Sequence, residues 1–303
     1  MSDRGRSDAS TGRRGPVVVG VDGSAEALDA VSWAADVAGR QGLELTVLTA
    51  VAPTVHVAAT IDAPPGSSAS ALLDRARDVA ADRLGDARVH VSAVTDHGTP
   101  AGVLVDHSES ASLVVVGTRG LGEFTGGLSG SVSTAVATHA RCAVAVVPAG
   151  SSRADGPVVV GVDGTANSMP ALRFAFAAAA ARGLRLVAVH AWSDIDVPQP
   201  DGADGGPHTE VGEQATLAES LAGFAEDNPT VEVDRVVVRD RPVRELVARS
   251  ADASMVVVGR RGRGGFRSLL LGSTSRAVLH SVDVPVVVVP GDTSPTAARD
   301  ETA

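Results

Sequence analysis

The chain has 303 residues, 44% hydrophobic and 20% charged, with a formal net charge of −10 and a pI near 5.2. That length suits two domains better than one, and the acidic balance argues against a nucleic-acid surface, whose affinity rests on neutralising phosphates. All 26 basic residues are arginine, which excludes a lysine-dependent P-loop and Schiff-base chemistry. Aromatics are only 2%, so Val, Ala and Leu must fill the cores. No apolar run reaches the roughly 18 residues of a membrane span. Residues 1–15 carry four arginines and no apolar stretch, so no secretory signal is expected. The lone Cys142 cannot form an internal disulfide and reads as a small core hydrophobe. The cytoplasm is the expected location.

In chain order, residues 1–15 read as a disordered tail. Val17 to Val21 is a continuous apolar run, as expected of a strand buried on both faces. Ser24 is placed to cap a helix over about 25–40 that ends near Gly42. Leu43–Ala50 reads as the second strand, 52–70 as a Pro/Gly/Ala-rich loop, and 71–84 as the second helix. The third strand is expected over 88–95, where polar and apolar residues alternate, and Pro100 suits the first turn of a third helix. Leu113–Val116, Ser131–His139 and Ala143–Val147 complete the unit as strand, helix and strand. The pattern then recurs: PVVVGVDGS at Pro16 returns as PVVVGVDGT at Pro157, and Pro100 returns as Pro242. The chain is therefore a tandem, with units at 16–148 and 157–290, a linker at 149–156 and a second disordered tail at 291–303. Repeated strand–helix alternation favours a parallel sheet with helices on both faces.

Two loops in each unit compete for the end of the sheet where ligands bind in such folds. One follows the first strand and holds Asp22 or Asp163. An aspartate in that turn is wrong for a dinucleotide fingerprint, because it would repel a pyrophosphate. It can either cap the following helix or accept hydrogen bonds from a ribose or an amino group. The other loop follows the fourth strand. Its glycines recur at one spacing: Gly117, Gly120, Gly130 and then Ser131 in the first unit, and Gly259, Gly262, Gly272 and then Ser273 in the second. Gly120 and Gly262 are candidates for positive φ, and Gly130 and Gly272 open a helix whose N–H groups and dipole favour an anion.

The pattern G-x2-G-x9-G-S, with an early V-G-V-D-G-[ST], resembles the universal stress protein family in its tandem, actinobacterial-looking form, over nearly all of both units. The resemblance implies α/β architecture: two tandem Rossmann-like domains, each a five-stranded parallel sheet of order 3-2-1-4-5. It implies ATP as the ligand, with Mg2+ as an optional companion, and one adenine-nucleotide site per domain. Asp22 and Asp163 would then contact the adenosine, and Ala50 and Ala191 would meet adenine through their backbone. Val116, Val258, Gly117, Gly120, Gly259 and Gly262 would flank ribose and phosphates. Gly130, Ser131 and Val132, with Gly272, Ser273 and Thr274, would hold the phosphates, and Ser133 and Ser275 would offer further hydroxyls. The family's fifth strand mediates dimer-like contact, so Ala143–Val147 is expected to pair with Val286–Val289 about a pseudo-twofold. A further homodimer is a second expectation, to which no particular residue points.

The two units are not equivalent. The second glycine loop carries Arg260, Arg261, Arg263 and Arg267, where the first has Thr118, Arg119, Leu121 and Thr125. Guanidinium forks suit phosphate, so the second site is expected to bind it more tightly. His139 and His280 stand where they favour a helix C-terminus rather than catalysis. Asp194, Asp196, Asp201 and Asp204 read as solvated loop charges. No metal-ligand spacing and no acyl-transfer elbow occurs. A nucleotide-dependent stress-response regulator is the leading expectation. A slow ATPase or phosphotransferase, a sensor of cAMP or another adenine nucleotide, and a module that binds no nucleotide are the alternatives.

Overall fold

The computed structural model describes residues 15–51, 69–118, 130–151, 155–192, 209–239, 241–262 and 270–291. Unit one contains β1 (Val17–Gly20), α1 (Ala25–Gln41), β2 (Leu45–Val51), α2 (Ala69–Leu84), β3 (Val91–His97), α3 (Pro100–His107), β4 (Leu113–Gly117), α4 (Ser131–His139) and β5 (Ala143–Val147). Unit two contains β6 (Val158–Val162), α5 (Met169–Arg182), β7 (Leu186–Trp192), α6 (Glu210–Asp227), β8 (Val233–Arg239), α7 (Pro242–Ser250), β9 (Met255–Gly259), α8 (Ser273–Ser281) and β10 (Val286–Val289). Within each unit the strands are parallel, in the order β3-β2-β1-β4-β5 and β8-β7-β6-β9-β10. The expected tails, most of the two long loops and the four loop aspartates lie outside the described residues.

Local chemistry sets the element ends. The Ser24 hydroxyl accepts from the Ala27 N–H, and Gly42 closes α1 at φ 63°. Thr99 caps α3, with Pro100 in its first turn. β3 starts at Val91 rather than 88 and runs on to His97. Its register is tied to β2, from Leu45 opposite Val91 to Val51 opposite His97. Alternation alone could not fix those ends. Unit two departs from the repeat after its first strand: a 3-10 turn, Ala166–Ser168, precedes α5, which has a proline in its first turn.

The faces of the sheet are covered alternately. Val17, Val19, Val115 and Ala145 point into a core with α1, α2, α5 and α6. Val18, Val114, Val116 and Val144 point into a second core with α3, α4, α7 and α8. Both cores run through the two units. They are joined because β10 pairs antiparallel with β5, Val286 opposite Val146, Val287 opposite Ala145 and Val288 opposite Val144, in one ten-stranded sheet. That register sets like-facing residues opposite one another, so neither core is interrupted. β3 and β8 form the outer edges and alternate toward exposure.

A polar contact supports the seam on one face. Asp36 of α1 takes Arg40 at 3.0 Å, Arg83 at 2.8 Å and the buried Arg182 of α5 at 3.3 Å. Burial would raise the Asp36 pKa, but the Arg40 hydrogen bond and the charges of Arg182, Arg40 and Arg83 outweigh it and hold the carboxyl below its usual range. The Arg182 guanidinium lies 5.7 Å from the Trp33 ring centre. Cys142 is free, and burial pushes its thiol up to about 11, so it is a poor nucleophile at neutral pH.

Candidate functional site

The sheet opens a crevice at the same place in each unit. β1 pairs with β4 only through Val17–Val19 and Leu113–Val115, whereas β1 stays on β2 to Gly20 and β4 on β5 to Gly117. β6 and β9 likewise pair only through Val158–Val160 and Met255–Val257. Strand order reverses at this point, and the strand ends diverge there. Both Asp loops and both glycine loops leave from this crevice.

In the first loop the carboxylate builds its own turn. Asp22 Oδ1 accepts from the Ser24 N–H at 3.0 Å and the Ser24 hydroxyl at 2.7 Å, and Ser24 then caps α1. Asp163 Oδ1 accepts from the Thr165 N–H at 2.8 Å, the Thr165 hydroxyl at 2.7 Å and the Ser168 hydroxyl at 2.5 Å. Gly23 and Gly164, at φ 95° and 75°, allow the chain to turn back on the carboxylate. The aspartates are therefore not helix caps themselves: each uses one oxygen to position the residue that caps. Their second oxygens differ. Asp22 is exposed, whereas Asp163 Oδ2 is buried and has no hydrogen-bond partner among the described residues. A Cβ placed on Gly262 would stand 3.2 Å from that oxygen. The strand-one aspartate and the glycine loop thus face each other in unit two.

This changes the reason for the glycine. Gly262 is absent from the positive-φ residues; it lacks a side chain because Asp163 approaches closely, not because its backbone is left-handed. Gly120, its counterpart, lies outside the described residues. At Gly117 an added Cβ would meet the Glu26 backbone at 3.0 Å, and at Gly259 the Arg261 and Asn167 carbonyls at 3.1 and 3.3 Å. The close approach these strand-end glycines permit is that of the protein's own chain.

The helix openings are duplicated closely. Gly130 and Gly272 sit at the N-caps of α4 and α8 with φ/ψ of −64°/152° and −65°/152°, and no side chain caps either helix. Their own N–H groups are used internally, by the Thr118 carbonyl at 2.7 Å and the Arg260 carbonyl at 2.8 Å. The groups left to meet an anion are the first-turn N–H groups of Ser131, Val132 and Ser133, and of Ser273, Thr274 and Ser275. Ser131 and Ser273 are exposed. The expected extra hydroxyls are turned the other way. Ser133 is buried and donates to the Gly130 carbonyl at 3.0 Å, and Ser275 is buried and donates to the Gly259 carbonyl at 2.6 Å. They brace the loop, because a buried hydroxyl must find an acceptor. Val116 and Val258 are buried in the core, so only their backbone borders the crevice. Ala50 and Ala191 lie half-buried near the ends of β2 and β7.

The arginines divide. Arg260 sends Nη1 across the seam to the Ala140 carbonyl at 2.7 Å and the Thr138 carbonyl at 3.4 Å, at the C-terminal end of α4. Burial lowers its pKa, with Arg261 and Arg141 adding to the effect. It is not aimed at its own loop. Arg261 is exposed, while Arg263 and Arg267 lie outside the described residues. Two supporting features were not legible as site residues. Ser168 holds Asp163 although its repeat counterpart is Ala27; the first-turn Pro170, which delays the helix, was the available signal. The fully buried His190 places Nδ1 2.9 Å from the Val162 carbonyl and Nε2 2.7 Å from Glu213, fixing the strand end just before Asp163. Val162 offers only an acceptor, so Nδ1 carries the proton. Unit one has Thr49 at the His190 position. Among the described residues no group of three or more His, Cys, Asp or Glu could hold a metal ion, and no helix is long and apolar enough to cross a membrane.

Comparison with known proteins agrees with this duplicated arrangement. The model of the universal stress protein family matches residues 14–148 and 156–290. Universal stress protein Rv2623 of Mycobacterium tuberculosis is 41% identical over 285 residues, spanning 90% of this chain and 95% of its own. Universal stress protein Rv2005c of the same organism is 40% identical over 285 residues, spanning 90% and 96%. The crystal structure of a universal stress protein from Archaeoglobus fulgidus aligns over 91% of this chain and 98% of its own, with a TM-score of 0.64 at 22% identity, and supports the fold. A strand-one aspartate turned toward a strand-four glycine loop in unit two, a repeat of the same strand and helix frame in unit one, and relatives that match 90% of this chain make this protein a tandem-domain member of the universal stress protein family.

Proposed function

We propose that the protein binds one adenine nucleotide per domain, ATP in the first instance, and acts in the cytoplasm as a nucleotide-dependent regulator of the stress response. The observation that carries this reading is Asp163 Oδ2, buried, without a hydrogen-bond partner among the described residues, and facing Gly262. Leaving a buried acceptor unpaired costs about 1–3 kcal/mol. A ribose hydroxyl or an exocyclic amino group brings the donor that such an oxygen lacks, and none of the described residues does. Across the crevice the uncapped opening of α8 offers N–H groups and the positive end of a dipole to phosphates. An acceptor for the sugar or base on one wall and donors for phosphate on the other match a nucleotide at both ends. Unit one carries the same parts, with Asp22 more open to solvent.

Occupancy by ATP requires no hydrolysis, and a regulator that changes partners on binding suits residues that bind and orient. Slow hydrolysis is the second reading, and its test comes from the same preparation. Purified protein is denatured and the released nucleotide identified by chromatography, and the emptied protein is titrated with ATP, ADP and cAMP. Two equivalents of ATP at sub-millimolar affinity support the reading. Preference for cAMP changes the ligand, multiple-turnover ADP release makes the protein an ATPase, and no binding of any of the three at millimolar concentration overturns the proposal.

A further inference from the structure

Arg260 belongs to unit two by its backbone and to unit one by its side chain. Its N–H donates to the Val289 carbonyl at 2.7 Å and its carbonyl accepts from the Gly272 N–H at 2.8 Å, so residue 260 ties the N-cap of α8 to the end of β10. Its guanidinium meets Ala140, the C-cap residue of α4, at 2.7 Å. The other end of α4 is Gly130, the unit-one anion opening, nine helical residues or roughly 13 Å away. A cation on the carbonyl end of a helix complements the same dipole that favours an anion at its N–H end. One residue therefore holds the N-cap of one candidate site and the far end of the helix that forms the other.

Among the described residues the arm runs one way only. Thr118, the repeat counterpart, makes the same two backbone bonds, to the Val147 carbonyl at 3.1 Å and from the Gly130 N–H at 2.7 Å. Its short neutral side chain provides no cationic reach into unit two. The bland account of Arg260, a solvated loop charge, fails on its partly buried position and its two carbonyl acceptors.

We propose that Arg260 is a positioning residue for the unit-one nucleotide site and couples the two sites, so that ATP held at the opening of α8 tightens ATP binding in unit one. This rests on the nucleotide reading above. The sign follows from what the guanidinium would leave behind: drawn toward a phosphate, it would strand the Ala140 and Thr138 carbonyls at the seam. A ligand seated on the opening of α8 instead fixes the Arg260 backbone and, through it, the guanidinium on α4. A helix end already held costs less to order when the second ATP arrives. Linkage makes the effect reciprocal, although the arm is not.

Isothermal titration of the full chain with ATP tests the idea. Unit-one affinity is measured with the unit-two site filled, in wild type, and with it blocked, in Gly272→Glu. The ratio of the two is expected to be about fivefold or more. In Arg260→Thr, which installs the unit-one residue, the ratio falls to one, and Arg260→Lys, which keeps a cation of similar reach, restores part of it. A merely structural Arg260 would lower thermal stability and both affinities together while leaving the ratio as in wild type. Two equivalents of ATP with the same ratio in wild type and Arg260→Thr overturn the coupling alone. Wild-type protein that takes up no ATP overturns the nucleotide reading, and the coupling with it.

Discussion

Replacing Asp163 by Asn isolates the one oxygen on which the functional reading depends. Oδ1 is locked as an acceptor by the Thr165 N–H, which cannot reverse its role, and by the Thr165 and Ser168 hydroxyls. The amide nitrogen of the asparagine must therefore take the place of Oδ2, facing Gly262. Without ligand, the change replaces an unpaired buried carboxylate oxygen by a neutral donor. That donor also lacks a partner among the described residues, and the three bonds into Oδ1 lose their charge assistance, so a loss of about 1 kcal/mol, about 2–4 °C in Tm, is expected. With ligand, the change sets a donor against a donor and removes a charge-assisted hydrogen bond worth about 1.5–3 kcal/mol, which weakens ATP binding at the unit-two site by about 10- to 150-fold. Differential scanning fluorimetry without nucleotide and titration calorimetry with ATP read the two halves on one sample. The expected signature is a small loss of stability beside a large loss of binding. An Asp163→Asn variant that binds ATP as wild type does would refute the placement of Oδ2 against the ligand.

Three further perturbations test the site and its frame. Gly130→Glu and Gly272→Glu each put a carboxylate at a helix opening meant for an anion and should each remove one ATP equivalent, by about tenfold or more in affinity; the larger loss is expected at Gly272, where Arg261 stands by, and equal losses in calorimetry would remove the argument for a tighter second site. Val287→Asp places a charge at a fully buried position opposite Ala145, and should cost at least about 3 kcal/mol and lower Tm by roughly 6–12 °C; a Tm within about 2 °C of wild type would show that the seam does not bear on stability. Asp36 has a folded pKa below its unfolded value, so its contribution is present above pH 4 and lost as pH falls through the lower folded value. Asp36→Asn should cost about 1–3 kcal/mol at pH 7 and less at pH 3, as read from urea unfolding at the two pH values; an equal cost at both would sink the assignment.

The sequence by itself determined the repeat, the fold and the two loops that matter. Those rest on local signals: buried apolar runs such as Val17 to Val21, caps such as Ser24 and Gly42, and a glycine spacing recorded twice. Ser131–His139 and Ala143–Val147 were legible to the residue because cap, period and composition agree there. What the tertiary structure decided depends on groups distant in the chain. The glycine at 262 read as a backbone choice and proved to be a space left for Asp163, 99 positions earlier. Ser133 and Ser275 read as ligand hydroxyls and proved to be braces, because only the packed loop shows which carbonyl lies nearest. Arg260 read as a phosphate arm of its own loop and crosses instead to Ala140, 120 positions away. The antiparallel register of β5 and β10 belongs to the same class. Either direction would satisfy two valine-rich strands locally, and the one adopted keeps both cores continuous across the two units. Spacing states which residues share an element; which of them face one another is fixed only when the sheet closes and each buried polar group has found, or lacks, its partner.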